Sequence, residues 1–278
     1  MNRLIKNVTG WLEDFQFNRA LGELHNFIWH DLCDMYIEEI KYRLYGKDQT
    51  SGGAAFTLGQ VMLTTIKLLA PFVPHFAEEV YQTTFSALEK QPSIHLTKWP
   101  EADDSAIDES AERLGEITNL IISALRQFKS TRKMALNTEI PELTIYTADL
   151  KLCEQLKEIV DDVAGTMQVK EIKITSEKPE IEERLVSVEP NFAKLGQRLR
   201  GDLKLVAEIL RQANPEELSK QLRSGKITIE MPDKVIELNS DELKITKETV
   251  RRGHRVEVIN LTEPAITLLV PLSGLGKK

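Results

Sequence analysis

Apolar residues recur at every third or fourth position as far as about residue 137, and beyond that point they tend to alternate. A period near 3.6 gives a helix one apolar stripe, whereas a period of two gives a strand one apolar face. The chain is therefore expected to be multidomain: an all-α helical bundle over residues 1–137, followed by a smaller α+β domain over residues 138–278. Its 278 residues exceed the roughly 100–200 of a single domain. Apolar residues at 41% and charged residues at 28% supply two ordinary cores.

The first long helix is predicted over DFQFNRALGELHNFIWHDLCDMYIEEIKYRLYG, where Phe17, Leu21, Leu24, Ile28, Leu32 and Met35 follow at steps of three and four and Gly46 ends the run. A loop, GKDQTSGGA, precedes a second run through Phe56, Val61, Thr65, Leu68 and Leu69. That run meets Pro71 and Pro74, and each interior proline costs a helix roughly 3 kcal/mol. A break near Ala70 and a restart at Pro74, running to about Ala87, are the consequence. A third long helix is expected from Ala106 to Met134, with Leu114, Ile117, Ile121, Leu125 and Phe128 as its stripe. After residue 138, PELTIYTA, VKEIKIT, RLVSVEP, ELKIT, HRVEVIN and AITLLVPL read as strands. LKLCEQLKEIVDDVAG and NFAKLGQRLRGDLKLVAEILRQ read as helices, and GKITIEMPDKVIEL as a hairpin turning at Pro232-Asp233.

The opening stretch, MNRLIKNVTGWLEDF, lacks the apolar core and cleavage site of an export signal, and no run reaches the ~18 apolar residues of a membrane span. Cys33 and Cys153 form no paired motif, so a reducing cytoplasm and no membrane are expected. His75, Glu78 and Glu79 of HFAEE sit at helical spacing but have no complementary ligand motif elsewhere, so no metal centre is expected. His25 and His30, five apart, point to different helix faces. Gly196 and Gly201 lie inside a helical run and not after a strand, and a serine elbow is missing. Neither a catalytic residue nor a cofactor is expected of this chain.

A net charge of −7 argues against non-specific nucleic-acid binding by the whole surface. One stretch departs from that balance. NLIISALRQFKSTRKMALN, residues 119–137, contains Arg126, Lys129, Arg132 and Lys133 and no acid. On a helix Arg126, Lys129 and Lys133 lie near one face with Arg132 flanking, while Ile121, Leu125 and Phe128 point to the core. Two readings fit this run: a ridge for a phosphate backbone and a solvated cationic face. Lys194, Arg198, Arg200 and Lys204, and later Lys244, Lys247, Arg251, Arg252 and Arg255, have acids among them, which favours solvated surface. Trp29 and Tyr36 are candidates for stacking on bases, although their helical spacing favours the core.

Four motifs in order, FNRALGELHNFIWHDLCDMYIEEIKYRLYG, TLGQVMLTTIKLLAPFVPHFAEEVYQ, SIHLTKWPE and ALRQFKSTRKMALNTEIPELTIYT, resemble the anticodon-binding domain of class I aminoacyl-tRNA synthetases. Trp29, Cys33-Asp34, Tyr36 and Glu38, with SIHLTKWPE, look most like the archaeal valyl type. Isoleucyl and leucyl enzymes share LLAPFVPH but usually differ around Trp29 to Tyr36. The resemblance implies that the bundle is an anticodon-binding domain holding the anticodon arm of a valine tRNA. Arg126, Lys129, Arg132 and Lys133 would meet phosphates, with Asn18, Arg19, Trp29, His30, Lys41 and Arg43 as further contacts.

It also implies that the chain is the C-terminal part of a larger ligase whose catalytic half, with its ATP and Mg, lies outside this sequence. Leu68, Leu69, Phe72, Val73 and Phe76 would be core around the proline break, with Glu78 and Glu79 serving only the helix dipole. Bacterial relatives often have Arg where Lys129 stands, so phosphate contact is expected there without a bidentate fork. Sustained heptads for a C-terminal coiled coil are absent. A reading from a different class is a protein-interaction or dimerisation scaffold, which a net charge of −7 also suits.

Overall fold

The computed structural model describes residues 1–46, 50–231 and 234–275. It forms two compact units, Met1–Ile140 with Asp149–Ile174, and Pro141–Ala148 with Thr175–Lys278.

The first unit opens with α1 (Asn2–Glu13), which buries Leu4, Ile5 and Val8. Phe15 then takes a left-handed φ of 57° and ends any continuous helix. The predicted first long helix therefore begins later, as α2 (Phe17–Asn26). It continues through a π-helical segment (Phe27–Tyr36) into α3 (Ile37–Tyr45). Of its predicted stripe Leu24 and Leu32 are buried, while Phe17 and Leu21 are exposed.

Next comes α4 (Thr50–Leu69), which already includes Gly52 and Gly53 from the predicted loop; residues 47–49 of that loop lie outside the described residues. The break falls at Ala70, and α5 (Pro74–Thr84) carries Pro74 in its first turn, where its missing N–H costs nothing. A short α6 (Ser86–Glu89) follows. Leu68 is buried and Phe72 half-buried, but Val73 and Phe76 are exposed, because α5 turns its Ala77–Tyr81 face to the core.

Helix α7 (Glu109–Thr131) starts three residues later than its periodicity suggests, since Asp108 Oδ1 caps it by accepting from Ser110 N at 2.9 Å and Ala111 N at 3.1 Å. It buries Ile117, Ile121, Leu125 and Phe128 as expected. After strand β1 (Ile140–Tyr146) of the second unit, the chain returns to the first with α8 (Leu150–Gln155), α9 (Val160–Met167) and the strand β2 (Val169–Thr175). Helix α9 packs on α3 and α7. Gly165 lets it do so, because a Cβ there would fall well inside contact distance of the Tyr42 ring.

In the second unit β3 (Glu182–Pro190) leads into α10 (Phe192–Leu199), α11 (Leu203–Gln212) and α12 (Pro215–Arg223). The hairpin strands β4 (Lys226–Met231) and β5 (Lys234–Asn239) follow, and their turn at Pro232-Asp233 lies outside the described residues. Strands β6 (Leu243–Arg251), β7 (His254–Leu261) and β8 (Ile266–Pro271) complete a sheet in which β1, β8, β7, β6 and β3 are neighbours in that order. These pairings are all antiparallel. Leu195, Val206, Leu210, Leu218, Ile227 and Leu238 form one core that joins α10–α12 to the hairpin.

Candidate nucleic-acid interface

The ten-residue π segment between α2 and α3 is the least ordinary backbone of the first unit, since π geometry mostly occurs as single-turn bulges and often marks functional sites. Asn26 before it and Ile37 after it are both right-handed helical, so the path from Phe17 to Tyr45 is continuous. Only Leu32 within it is buried. Trp29 is 60% exposed, contrary to the core position its spacing favours, and its ring stacks on His25 at 6.3 Å with 9° between planes. His30 Nδ1 lies 3.4 Å from Asp34 Oδ2.

Helix α7 is fastened to this segment by Arg126, whose Nη1 donates to the Asp34 carbonyl at 2.9 Å and approaches Met35 Sδ at 3.3 Å. The structure thus ties Arg126 to the segment that also carries Trp29 and His30. Glu39, one turn beyond, has its carboxyl held above the usual carboxylate range chiefly by burial, with Arg126 opposing the shift.

Lys129 departs most from expectation. Instead of standing on a solvent-facing ridge it is fully buried, and its Nζ donates to the carbonyls of Leu136 at 2.7 Å and Met167 at 2.8 Å. Burial lowers its pKa from 10.5 to about 8. The physical reason is spacing: Lys129 comes four residues after Leu125 and seven after Ile122, both fully buried. Arg132 and Lys133 do remain exposed just beyond α7. The Arg132 guanidinium lies 5.3 Å from the Phe128 ring centroid, and Lys133 has a left-handed φ of 54°.

Asn18 and Arg19 are exposed on α2, and the Arg19 guanidinium stacks over Trp11 at 4.8 Å. Trp11 is held by its Nε1, which donates to Glu23 at 2.9 Å. Lys41 is paired with Glu38, and Arg43 with Asp162. Arg43 Nε also donates to the Tyr42 hydroxyl at 2.8 Å, and that hydroxyl donates to Asp162 Oδ1 at 2.7 Å. Burial, followed by the bond to Asp162, pushes the Tyr42 hydroxyl up to about 12. Lys41 and Arg43 are therefore spent on contacts within the first unit.

In the basic stretches of the second unit four cations are paired with acids. Lys194 pairs with Asp241 at 3.2 Å, Lys247 with Glu183 at 2.9 Å and Arg255 with Glu248 at 2.5 Å, while Arg198 pairs with Glu242. Arg251 donates to Thr144 at 2.9 Å.

Sequence reasoning overlooked an exposed line of large side chains. Phe17 at 54%, Leu21 at 43% and Trp29 at 60% exposure fall, with His25, at successive steps of four. Phe15 joins them edge-on to Phe17 at 6.2 Å. The steps of four were the available signal, but the same numbers also describe a core stripe. Chemically, an exposed flat ring on such a line can stack a base.

Residues 1–146 match the family described as the anticodon-binding domain of tRNA ligase. The valine–tRNA ligase of Thermococcus kodakarensis is 39% identical over 259 residues, which cover 92% of this chain and 29% of that protein. The valine–tRNA ligase of Methanothermobacter thermautotrophicus is 39% identical over 269 residues, covering 95% of this chain and 30% of that protein. The corresponding protein of Pyrococcus abyssi is 38% identical over 259 residues, with 92% and 29% covered. The chain thus spans less than a third of the length of these curated relatives. With more than half of its residues inside the family match, the chain belongs to the anticodon-binding domain family of tRNA ligases.

Proposed function

We propose that this chain binds the anticodon arm of a valine tRNA and positions it for ligation of valine by a larger enzyme of which the chain is a part. The observation that carries the proposal is the π segment, whose exposed Trp29 stacks on the preceding His25 and whose Asp34 carbonyl holds Arg126, within the region matched to the family. Trp29 stacks one base of the loop, and Arg19, Arg132 and Lys133 meet phosphates. Asn18 and His30 offer polar contacts nearby. Arg126 shapes the segment through the Asp34 carbonyl and presents its remaining N–H groups to RNA. Lys129 supports the end of α7 from inside, while Lys41 and Arg43 brace α3. ATP and Mg belong, in this reading, to the part of the enzyme outside the chain.

Titration of a fluorescent valine tRNA transcript with the protein tests the reading. Saturable binding that weakens in Trp29→Ala supports it, and undiminished binding in that variant sinks it. A second reading, a protein-docking face, draws on the exposed Phe15, Phe17 and Leu21. Self-association at micromolar concentration, relieved by Phe17→Ser, would favour that alternative.

A further inference from the structure

The break between α4 and α5 opens a cavity of about 400 Å³, lined on its polar side by Lys67, His95, Thr97 and Lys98 and walled by Trp99, with Pro71 and Pro74 at the break itself. That volume falls within the roughly 300–1,000 Å³ of small-molecule sites. Three of the lining side chains are basic and none is acidic. The nearby carboxylates are already engaged. Glu89 accepts from Lys67 Nζ at 2.6 Å. Glu78 accepts from Ser93 Oγ at 2.9 Å, from Ile94 N at 3.0 Å and, on its other oxygen, from Gln82 at 2.7 Å.

Those bonds explain why the walls are in place. Glu78 ties the turn at Ile94–Leu96 to α5, and Thr97 Oγ1 donates to the Ile94 carbonyl at 2.6 Å. Trp99, one of the lining residues, is pinned through Nε1, which donates to Thr9 Oγ1 at 2.9 Å. The bonds made by Glu78 lower its pKa, with Gln82 first among the causes, which keeps the tether ionised near neutral pH. Lys98 has no carboxylate partner among the described residues, and its side chain is exposed at the rim. An aromatic wall beside the unpaired Lys98 suits a ligand that is planar at one end and anionic at the other.

We infer that this cavity binds a nucleoside monophosphate, with its base along Trp99 and its phosphate between Lys98 and His95, Lys67 lying behind. The site is separate from the π segment and does not depend on the tRNA reading. A free mononucleotide and the 5′-terminal nucleotide of an RNA strand share this chemistry, and the test separates them.

Isothermal titration of the whole chain with adenosine monophosphate, adenosine, inorganic phosphate and a 5′-phosphorylated trinucleotide is the experiment. The monophosphate should bind about tenfold more tightly than adenosine or phosphate alone, and Lys98→Ala should weaken it by about tenfold, as expected for one charge-assisted contact. Lys98→Glu should abolish binding while leaving the melting temperature unchanged, because the side chain is exposed. Trinucleotide binding equal to that of the monophosphate supports the site and assigns it to RNA ends; binding of the monophosphate alone supports it as a free-nucleotide site. No heat with the monophosphate at millimolar concentration, equal affinity for adenosine, or full binding by the Lys98→Glu variant would each overturn the inference.

Discussion

At the scale of single residues, Trp29 and Lys129 exchange the roles their positions suggest. Trp29 sits at helical spacing yet lies 60% exposed, so Trp29→Ala should change stability by no more than about 0.5 kcal/mol. The same substitution should cost ~1–3 kcal/mol of RNA binding, the worth of one stacked base, measured by fluorescence titration. Lys129 is buried, and a neutral amine has two N–H groups to match the carbonyls of Leu136 and Met167. Its folded pKa of about 8 lies below the ordinary 10.5. Below pH 8 both folded and unfolded chains carry the charge, and the fold bears the full desolvation cost. Between about 8 and 10.5 the folded chain releases the proton while the unfolded chain keeps it, so this residue's contribution makes stability rise with pH. Denaturation midpoints at about pH 7 and about pH 10 should therefore differ less in favour of the higher pH for Lys129→Met than for the natural chain. Equal differences would contradict the buried-amine account.

At the scale of elements, the close seat of α9 on α3 can be tested through its sign. Gly165→Ala in a helix would ordinarily stabilise by ~0.5–1 kcal/mol. Here the added methyl meets a Tyr42 ring held by Asp162 and Arg43, and an overpacking cost of ~1–3 kcal/mol should win, lowering the thermal midpoint. The proline break was legible, because a missing N–H and a fixed φ leave few alternatives near Ala70. The exposed cation Lys133 was also legible, whereas Lys129 was concealed within a run of basic residues although its distance from Ile122 and Leu125 marked the core face. The π segment could not be distinguished from α-helix over ten residues of apolar spacing. Glu78 had looked like a helix-dipole acid, and its tether to Ser93 and Ile94 required the folded return of the chain to become visible.

At the scale of the whole molecule, charge is concentrated locally against a net −7. In the second unit Lys194, Arg198, Lys247 and Arg255 face acids of that unit, and on the first unit Arg19, Arg132 and Lys133 are exposed. Three neutralised phosphates of a single-stranded loop give a slope of log affinity against log salt of roughly −2. A slope near zero in a salt series would remove phosphate contact from the account. The alternation of strands that distinguished the second unit in sequence was readable because an antiparallel sheet with one buried face enforces a period of two, as in the buried Ile227 and Ile229 of β4.

The central claim is that the first unit recognises an anticodon loop and not RNA in general. Binding of the chain to a valine tRNA transcript, and to the same transcript with only its anticodon changed, tests it most directly. The account predicts tighter binding to the natural anticodon, with that preference lost in Trp29→Ala together with Arg126→Ala. Equal binding to both transcripts would contradict it.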